Sequence, residues 1–596
     1  MGEKKITTGI NIDEDSKRYY PYNDVASNLI GFCSSDNVGL WGLEERWNDE
    51  LTGTSGKIVT AKNVNGEAIS DENEQYVEVE NGSNIYLTID TAIQGIAEKY
   101  LEQAVVENKC GRGGNVLIMN PQNGDILAMA TYPDYNLNSP FLIEPTGLTE
   151  EEWNTLPQEE QSAKLLGVWK NRAVSDLYEP GSTYKLLTSA IALEENIITT
   201  DHEGDFFCTG KYHVGDRDIS CWKTDGSHGV QSLRKALQNS CNPAFMQLGQ
   251  KVGAKLLYKY YEAFGLFEPV GSDIAGAYKG GFFDENRIGP VELATMSFGQ
   301  RITVTPLQLI SAVSAIANDG IYVKPRIVNK IENTDENSIE TVEVEEVRQV
   351  ISLDTSQKMK NMMQSVVTDG TGRYAKVEGY SVGGKSGTSE PPVGKPEEGY
   401  VASFIAISPI ENTQVVVLVI LYDPHGDSHQ GGQTAGPVAG QILSEVLPIL
   451  GIPSDATETA NIEEDLPIVP NVIDKTVAEA RKILTAAGFN VQINIAGDEN
   501  TTLVSDQTPK SGIKLEAGAT IYLYTVENEV RVSTTVPNVK GMSAEAAKTA
   551  LRAANLNIKT EGTNGVVISQ EPSSETQQEV GTVVHVVIKE QMNGAQ

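Results

Sequence analysis

The sequence predicts an α/β multidomain protein: one large unit with an antiparallel-rich sheet flanked by helices, followed by two small α+β repeats. Three observations carry this. At 596 residues the chain is too long for a single hydrophobic core. From residue 85 to 452, strand-like runs lie at both ends and helical spacing fills the middle. Beyond that, Val469-Pro470-Asn471-Val472 recurs as Val536-Pro537-Asn538-Val539, 67 residues later, the mark of an internal repeat.

Residues 1–84 are polar, rich in Gly, Asn and Tyr, with short alternating runs such as Tyr76-Val77-Glu78-Val79; they predict a β-rich accessory domain. The large unit, 85–452, opens with Asp90 placed to cap a helix. Asn115 to Met119 and Asn123 to Ala128 read as a hairpin around Asn123-Gly124. Apolar helical spacing follows over 182–195, 230–265 and 290–318. Strands return at 376–388 and 401–422, and a last helix covers 434–449. Residues 453–465 are acidic and Thr/Ala/Glu-rich, as suits a linker. The repeats occupy 466–527 and 533–590. Each has an Ala-rich helix (477–487, 544–554), then Val504 to Pro509 or Val567 to Pro572, and closes on Gly518 or Gly581 before an alternating strand.

Composition excludes some functions. With 46 basic against 81 acidic residues, the net charge is −35, which argues against nucleic acid, whose phosphates would repel it. Five cysteines are not a disulfide framework. No segment reaches the roughly 18 apolar residues that cross a bilayer; the densest run, Val415 to Leu421, reads as a buried strand.

Three motifs in one order carry the chemistry: Ser182-Thr183-Tyr184-Lys185, Ser240-Cys241-Asn242 and Lys385-Ser386-Gly387-Thr388. Together they offer a nucleophile, its base, a second proton carrier and a cationic anion clamp, the parts that open an amide through a serine ester. Ser182 follows Pro180-Gly181 at the start of an apolar helix, where free backbone N–H groups and the helix dipole favour developing negative charge. Lys185, three residues on, shares its face, and desolvation with Lys385 nearby would lower its pKa. Ser240 can pass a proton to the leaving amine. Asn242, before Pro243 and so expected in a loop, can hold a substrate carbonyl. Lys385, Ser386 and Thr388 can bind a carboxylate on a strand whose Gly383, Gly384 and Gly387 admit another backbone. The N–H groups of Ser182 and Thr388 are the expected oxyanion hole. Decoys exist: Ser220/Lys223, Ser232/Lys235, Ser511/Lys514, Ser35-Asp36-Asn37 and Lys510-Ser511-Gly512. Chain order and the Pro-Gly turn separate the real set from them, and the repeat places Ser511 in a structural loop.

Tyr178-Glu179-Pro180-Gly181-Ser182-Thr183-Tyr184-Lys185, Asn239-Ser240-Cys241-Asn242-Pro243 and Gly384-Lys385-Ser386-Gly387-Thr388 resemble the three motifs of class B penicillin-binding proteins, the D,D-transpeptidases of peptidoglycan synthesis. Arg18-Tyr19-Tyr20-Pro21 and Gly42-Leu43-Glu44 resemble the late part of that family's pedestal (dimerisation) region, and the repeats resemble PASTA domains. The resemblance implies a penicillin-binding/β-lactamase-like domain, no cofactor for catalysis, peptidoglycan stem peptides as substrate and β-lactams as covalent inhibitors. It further implies a membrane glycosyltransferase partner and a place on the extracytoplasmic face of the membrane, anchored by an N-terminal helix; the family's anchor and early pedestal motif are missing before Gly9, so a trimmed ectodomain is expected. A D,D-carboxypeptidase or β-lactamase using the same motifs, or an acylated β-lactam sensor or wall-binding protein without turnover, stand as alternatives.

A second site is a candidate zinc centre. Cys208 and Cys221 bracket a hairpin at 211–219, and His228 follows, giving Cys-x12-Cys-x6-His. Asp216 or His213 is the expected fourth ligand. A disulfide closing the 14-residue loop, or two free thiols, are the rivals.

Overall fold

The computed structural model describes residues 17–589 apart from 55, 60–74, 272, 392–394, 455–466, 494–497, 517, 526–530 and 562–565. It divides into two compact units, residues 1–452 and 453–596. The linker expected at 453–465 lies, from residue 455 on, outside the described residues.

In the described part of residues 1–84 the expected β structure is present only at the end, where Lys57–Val59 pairs antiparallel with Gln75–Val77; before it lie short helical turns (Ser27–Ile30, Gly42–Arg46, Asn48–Leu51). The aromatic residues of this stretch are the reason: Tyr20, Phe32 and Trp41 pack on Tyr135, Leu137, Val168 and Trp169, a docking that irregular backbone allows.

Helix α1 (Thr91–Glu107) starts where predicted, the Asp90 carboxylate accepting from the N–H of Ala92 and Ile93. β1 (Gly114–Met119) and β2 (Ile126–Tyr132) form the predicted hairpin, turning where Gly124 has φ +77°. Then come α2 (Lys185–Glu194), a strand pair β3 (Phe206–Cys208) with β6 (Gly229–Gln231), and between them the hairpin β4 (Lys211–Val214) and β5 (Arg217–Ser220). Helices α3 (Leu233–Gln238), α4 (Asn242–Val252), α5 (Pro306–Ala317) and α6 (Leu353–Asp369) follow. β7 (Gly383–Ser389), β8 (Val401–Ser408), β9 (Val415–Tyr422) and α7 (Gly431–Ile449) complete the unit. The stretch 401–422, read as one strand, is two, turned about residues 409–414.

These strands make one antiparallel sheet in the order β7-β8-β9-β1-β2. β9 shows why the run Val415 to Leu421 has no polar face. Val416, Leu418 and Ile420 join one core with α2, α4, α5 and α6, while Val415, Val417, Val419 and Leu421 join the other with α1 and α7. Period-2 alternation with both faces covered needs apolar residues at every position. β7, which carries the third motif, is an edge strand.

In the second unit both repeats have one pattern. Helix α8 (Val477–Ala486) packs on β10 (Asn490–Ile493), β11 (Val504–Thr508) and β12 (Thr520–Thr525), ordered β10-β12-β11. Helix α9 (Ala544–Ala553) likewise accompanies β13 (Asn557–Glu561), β14 (Val566–Glu571) and β15 (Val583–Lys589), ordered β13-β15-β14. Each repeat holds its own small core.

Candidate active site

The Pro-Gly turn forms as a tight 3-10 helix, Gly181–Tyr184, feeding α2. It is moulded by its neighbours. Gly181 N–H donates to Gly299 O (2.9 Å), and Tyr178 and Val304 exchange backbone bonds of 3.1 and 3.0 Å. Gly299, at φ +82°, has no room for a side chain: a Cβ would lie 2.1 Å from Gly181 O. Ser182 is left half-buried at this turn while Lys185, one turn on, is fully buried.

Lys185 Nζ donates to Ser240 O (2.8 Å), Asn242 Oδ1 (2.7 Å) and Ser240 Oγ (3.3 Å). Lys385, also fully buried, donates from Nζ to the same Ser240 Oγ (3.0 Å) and to Ser386 O (2.9 Å). One serine hydroxyl thus sits between two lysine Nζ atoms. Among the described residues no side chain hydrogen-bonds Ser182 Oγ, so the lysine is turned to the second motif rather than to the first. Burial pushes Lys185 down from 10.5 to about 7, with the rings of Phe245 and Phe298 among its surroundings. Lys385 is held well below its ordinary value by burial and then by the Lys185 charge, a repulsion that the two neighbouring lysines share.

The third motif is fixed by glycines and hydroxyls. A Cβ on Gly387 would meet Ser403 Oγ at 2.4 Å and Pro180 O at 2.9 Å, so β7 and the nucleophile turn approach as closely as backbone allows. Ser386 Oγ donates to Thr371 Oγ1 (3.1 Å), and Thr388 Oγ1 accepts from Gly431 N–H (3.1 Å) at the start of α7.

Asn242 is not in a loop: it is the first residue of α4, and Pro243 sits in the first turn, where its missing N–H costs nothing. The loop residue is Ser240, at φ +50°. The decoys resolve structurally. Ser232 caps α3 by accepting from Lys235 N–H. Ser220 ends β5. Lys510 pairs with Asp506 in the first repeat.

The zinc expectation needs one correction. Asp216 pairs with Arg217 (3.0 Å) and His213 with Asp218 (2.9 Å), both exposed at the hairpin tip. The fourth residue of the cluster that could hold a metal ion is instead Cys241. Cys208, Cys221, His228 and Cys241 place one ligand atom each within 4.8 Å of one another, with His228 Nδ1 3.8 Å from Cys208 Sγ and 3.5 Å from Cys221 Sγ. Tetrahedral zinc with these donors has ligand–ligand edges of about 3.5–3.8 Å, so the residues fit it. All three cysteines are free thiols rather than disulfides. Cys221 is lowered by a hydrogen bond from Cys241, then by His228 and the Lys223 N–H, while Cys241 is raised by that same bond and by burial. The contact between them thus favours the thiolate on Cys221 and the thiol on Cys241. Cys241 is fully buried, and the reversal of the chain at Ser240 turns it towards the hairpin.

Residues 114–444 match the penicillin binding protein transpeptidase domain, residues 2–87 the penicillin-binding protein dimerisation domain, and residues 467–527 and 534–590 the PASTA domain. The chain is 34% identical to stage V sporulation protein D of Bacillus subtilis over 534 residues, 87% of this chain and 77% of that one. It is 29% identical to the peptidoglycan D,D-transpeptidase FtsI of Escherichia coli over 76% of this chain and 71% of that one. The crystal structure of the D,D-transpeptidase domain of a peptidoglycan glycosyltransferase from Eggerthella lenta is similar with a TM-score of 0.59 at 27% identity, covering 73% of this chain and 93% of that one.

Proposed function

This chain belongs to the class B penicillin-binding proteins, serine D,D-transpeptidases that cross-link peptidoglycan and are acylated by β-lactams, and from that premise we propose the roles of its residues. Ser182 Oγ attacks the carbonyl of the terminal D-Ala-D-Ala bond of a stem peptide, with its N–H and that of Thr388 stabilising the oxyanion. Lys185 takes the serine proton, its pKa near 7 leaving much of it uncharged at neutral pH. Ser240, bonded to both lysines, carries the proton onward to the leaving D-Ala amine. Asn242 holds the substrate amide. Lys385, Ser386 and Thr388 receive the terminal carboxylate, whose charge restores the Lys385 ammonium that burial disfavours; Gly387 keeps that strand close to the nucleophile turn. An amine of a second stem then resolves the ester.

The observation that carries this is Ser240 Oγ within 3.0 and 3.3 Å of the Nζ atoms of two fully buried lysines. Burying two lysines side by side, at the expense of their charge, is too costly to persist without a use. Labelled penicillin tests it. Wild-type protein should form a stable covalent adduct and Ser182→Ala none; an adduct on the Ala variant refutes the nucleophile.

The family's chemistry runs without a cofactor. For structure we propose zinc at Cys208, Cys221, His228 and Cys241, tying the 206–221 hairpin to the turn that bears Ser240. Purified protein should carry about one zinc per chain, and Cys208→Ser should lower both the metal content and Tm; metal-free native protein refutes it. We place the enzyme at the extracytoplasmic face of the membrane, where its wall substrate lies, beside a membrane glycosyltransferase that supplies uncross-linked strands. The domains follow the same reading: pedestal to about residue 84, transpeptidase 85–452, then two repeats.

A further inference from the structure

Ser240 stands in a conformation that L-residues avoid. Helix α3 ends in a Schellman turn, with Cys241 N–H donating to Ala236 O (2.9 Å) and Ser240 N–H to Leu237 O (3.1 Å), which puts Ser240, at φ +50°, where glycine is usual. A strained residue at a reacting centre persists only where its surroundings over-determine it. The carbonyls at this end are each accounted for. Gln238 O accepts from Thr371 N–H (3.1 Å), Ser240 O from Lys185 Nζ (2.8 Å), and Asn239 O from Trp222 Nε1 (2.9 Å). Thus the peptide plane after Ser240 is held by Lys185, and the plane before it by Trp222.

We infer that Trp222 is a positioning residue for Ser240. Of the two clamps, the Lys185 one weakens from a charged to a neutral donor whenever that ammonium gives up a proton, whereas an indole N–H is an unchanged donor throughout. Trp222 therefore keeps its hold on the serine during the step in which the Lys185 bond weakens. The residue is 42% exposed, so core packing is not what keeps a side chain of this size here. Cys221, next in the chain, is fixed by its N–H to Gly210 O (2.8 Å), and the His228 ring lies 5.8 Å from the indole; both hold the ring at the Ser240 turn. This rests on Ser240 carrying a proton in the reaction.

The test is the acylation of the 596-residue chain by a chromogenic β-lactam, with non-covalent binding and the acylation rate constant measured separately. Two variants remove the N–H: Trp222→Phe, and replacement of Trp222 by 3-benzothienylalanine, which keeps the ring shape. Both should slow acylation about tenfold, with non-covalent binding within about twofold and Tm within about 2 °C for the isostere. Native-rate acylation by the isostere overturns the inference, as does a loss that appears as weaker binding or lower Tm instead of slower acylation. Ser240→Ala, run alongside, separates the two readings. If it acylates at the native rate, the role of Ser240 itself falls; if it is slow while the isostere is not, only that of Trp222 does.

Discussion

Lys185 and Lys385 are both buried to 0% exposure, and the chemistry depends on what that burial does to their protons. Lys185 has a folded pKa of about 7 against 10.5 in the unfolded chain. Between those values the unfolded chain binds a proton that the folded one does not. The Lys185 penalty on stability is thus fully present below about pH 7 and is relieved as pH rises towards 10.5. Activity follows the same sign, because the uncharged amine is the base. The acylation rate by a β-lactam, measured from pH 5.5 to 8.5, should climb through a midpoint near 7. A flat profile would remove Lys185 as the titrating base. Lys185→Ala should slow acylation about 100- to 10,000-fold. At this scale the sequence was highly legible where a motif's letters are themselves the chemistry, as for Ser182, Lys185 and Lys385. It was opaque where the partner is remote: no spacing pairs Trp222 with Asn239, or Cys241 with Cys208, since both contacts depend on how α3 ends.

That helix end is the decisive element. Six residues long, α3 must stop, reverse and start α4 within four residues, and the reversal places Ser240 at φ +50°. The hydroxyl requirement and the backbone requirement conflict there, since the backbone favours glycine. Ser240→Gly should therefore be more stable than Ser240→Ala by about 1 kcal/mol, read by thermal unfolding, although both lose the relay hydroxyl and acylate slowly. Equal stability of the two variants would show that the left-handed turn costs nothing. Regular elements were easier to foresee than this junction. Period-2 burial in β9 and the Asp90 cap of α1 are local signals, whereas the break at 297–305 between the helices predicted over 290–318 is imposed by the nucleophile turn lying against Gly299.

Over the whole molecule the same distinction between local and imposed glycine appears in the repeats. Gly518 and Gly581 occupy matching positions, with φ +81° and +86°, and backbone conformation alone explains why neither carries a side chain. Their surroundings differ. A Cβ on Gly518 would meet nothing within 4 Å, but on Gly581 it would lie 2.7 Å from Thr508 O and 2.7 Å from the Tyr522 ring, both in the first repeat. The preceding Asn shows the same asymmetry. Asn490 Nδ2 donates to Gly518 O (2.9 Å) and Asn557 Nδ2 to Gly581 O (2.8 Å), but Asn557 also exchanges bonds with the Thr520 backbone at 3.0 and 2.9 Å. Arg531 adds Asp506 on one side and Glu579 on the other. The second copy has thus acquired contacts that the first lacks, and the two repeats are docked as one body. Gly581→Ala should raise hydrogen exchange in residues 504–508 and 520–525 of the first repeat, although the substitution lies in the second. Gly518→Ala should cost only its own left-handed strain, about 1 kcal/mol, and leave exchange in 557–561 and 583–589 unchanged. If exchange stays local in both variants, the repeats are independent beads and the asymmetry has no energetic weight.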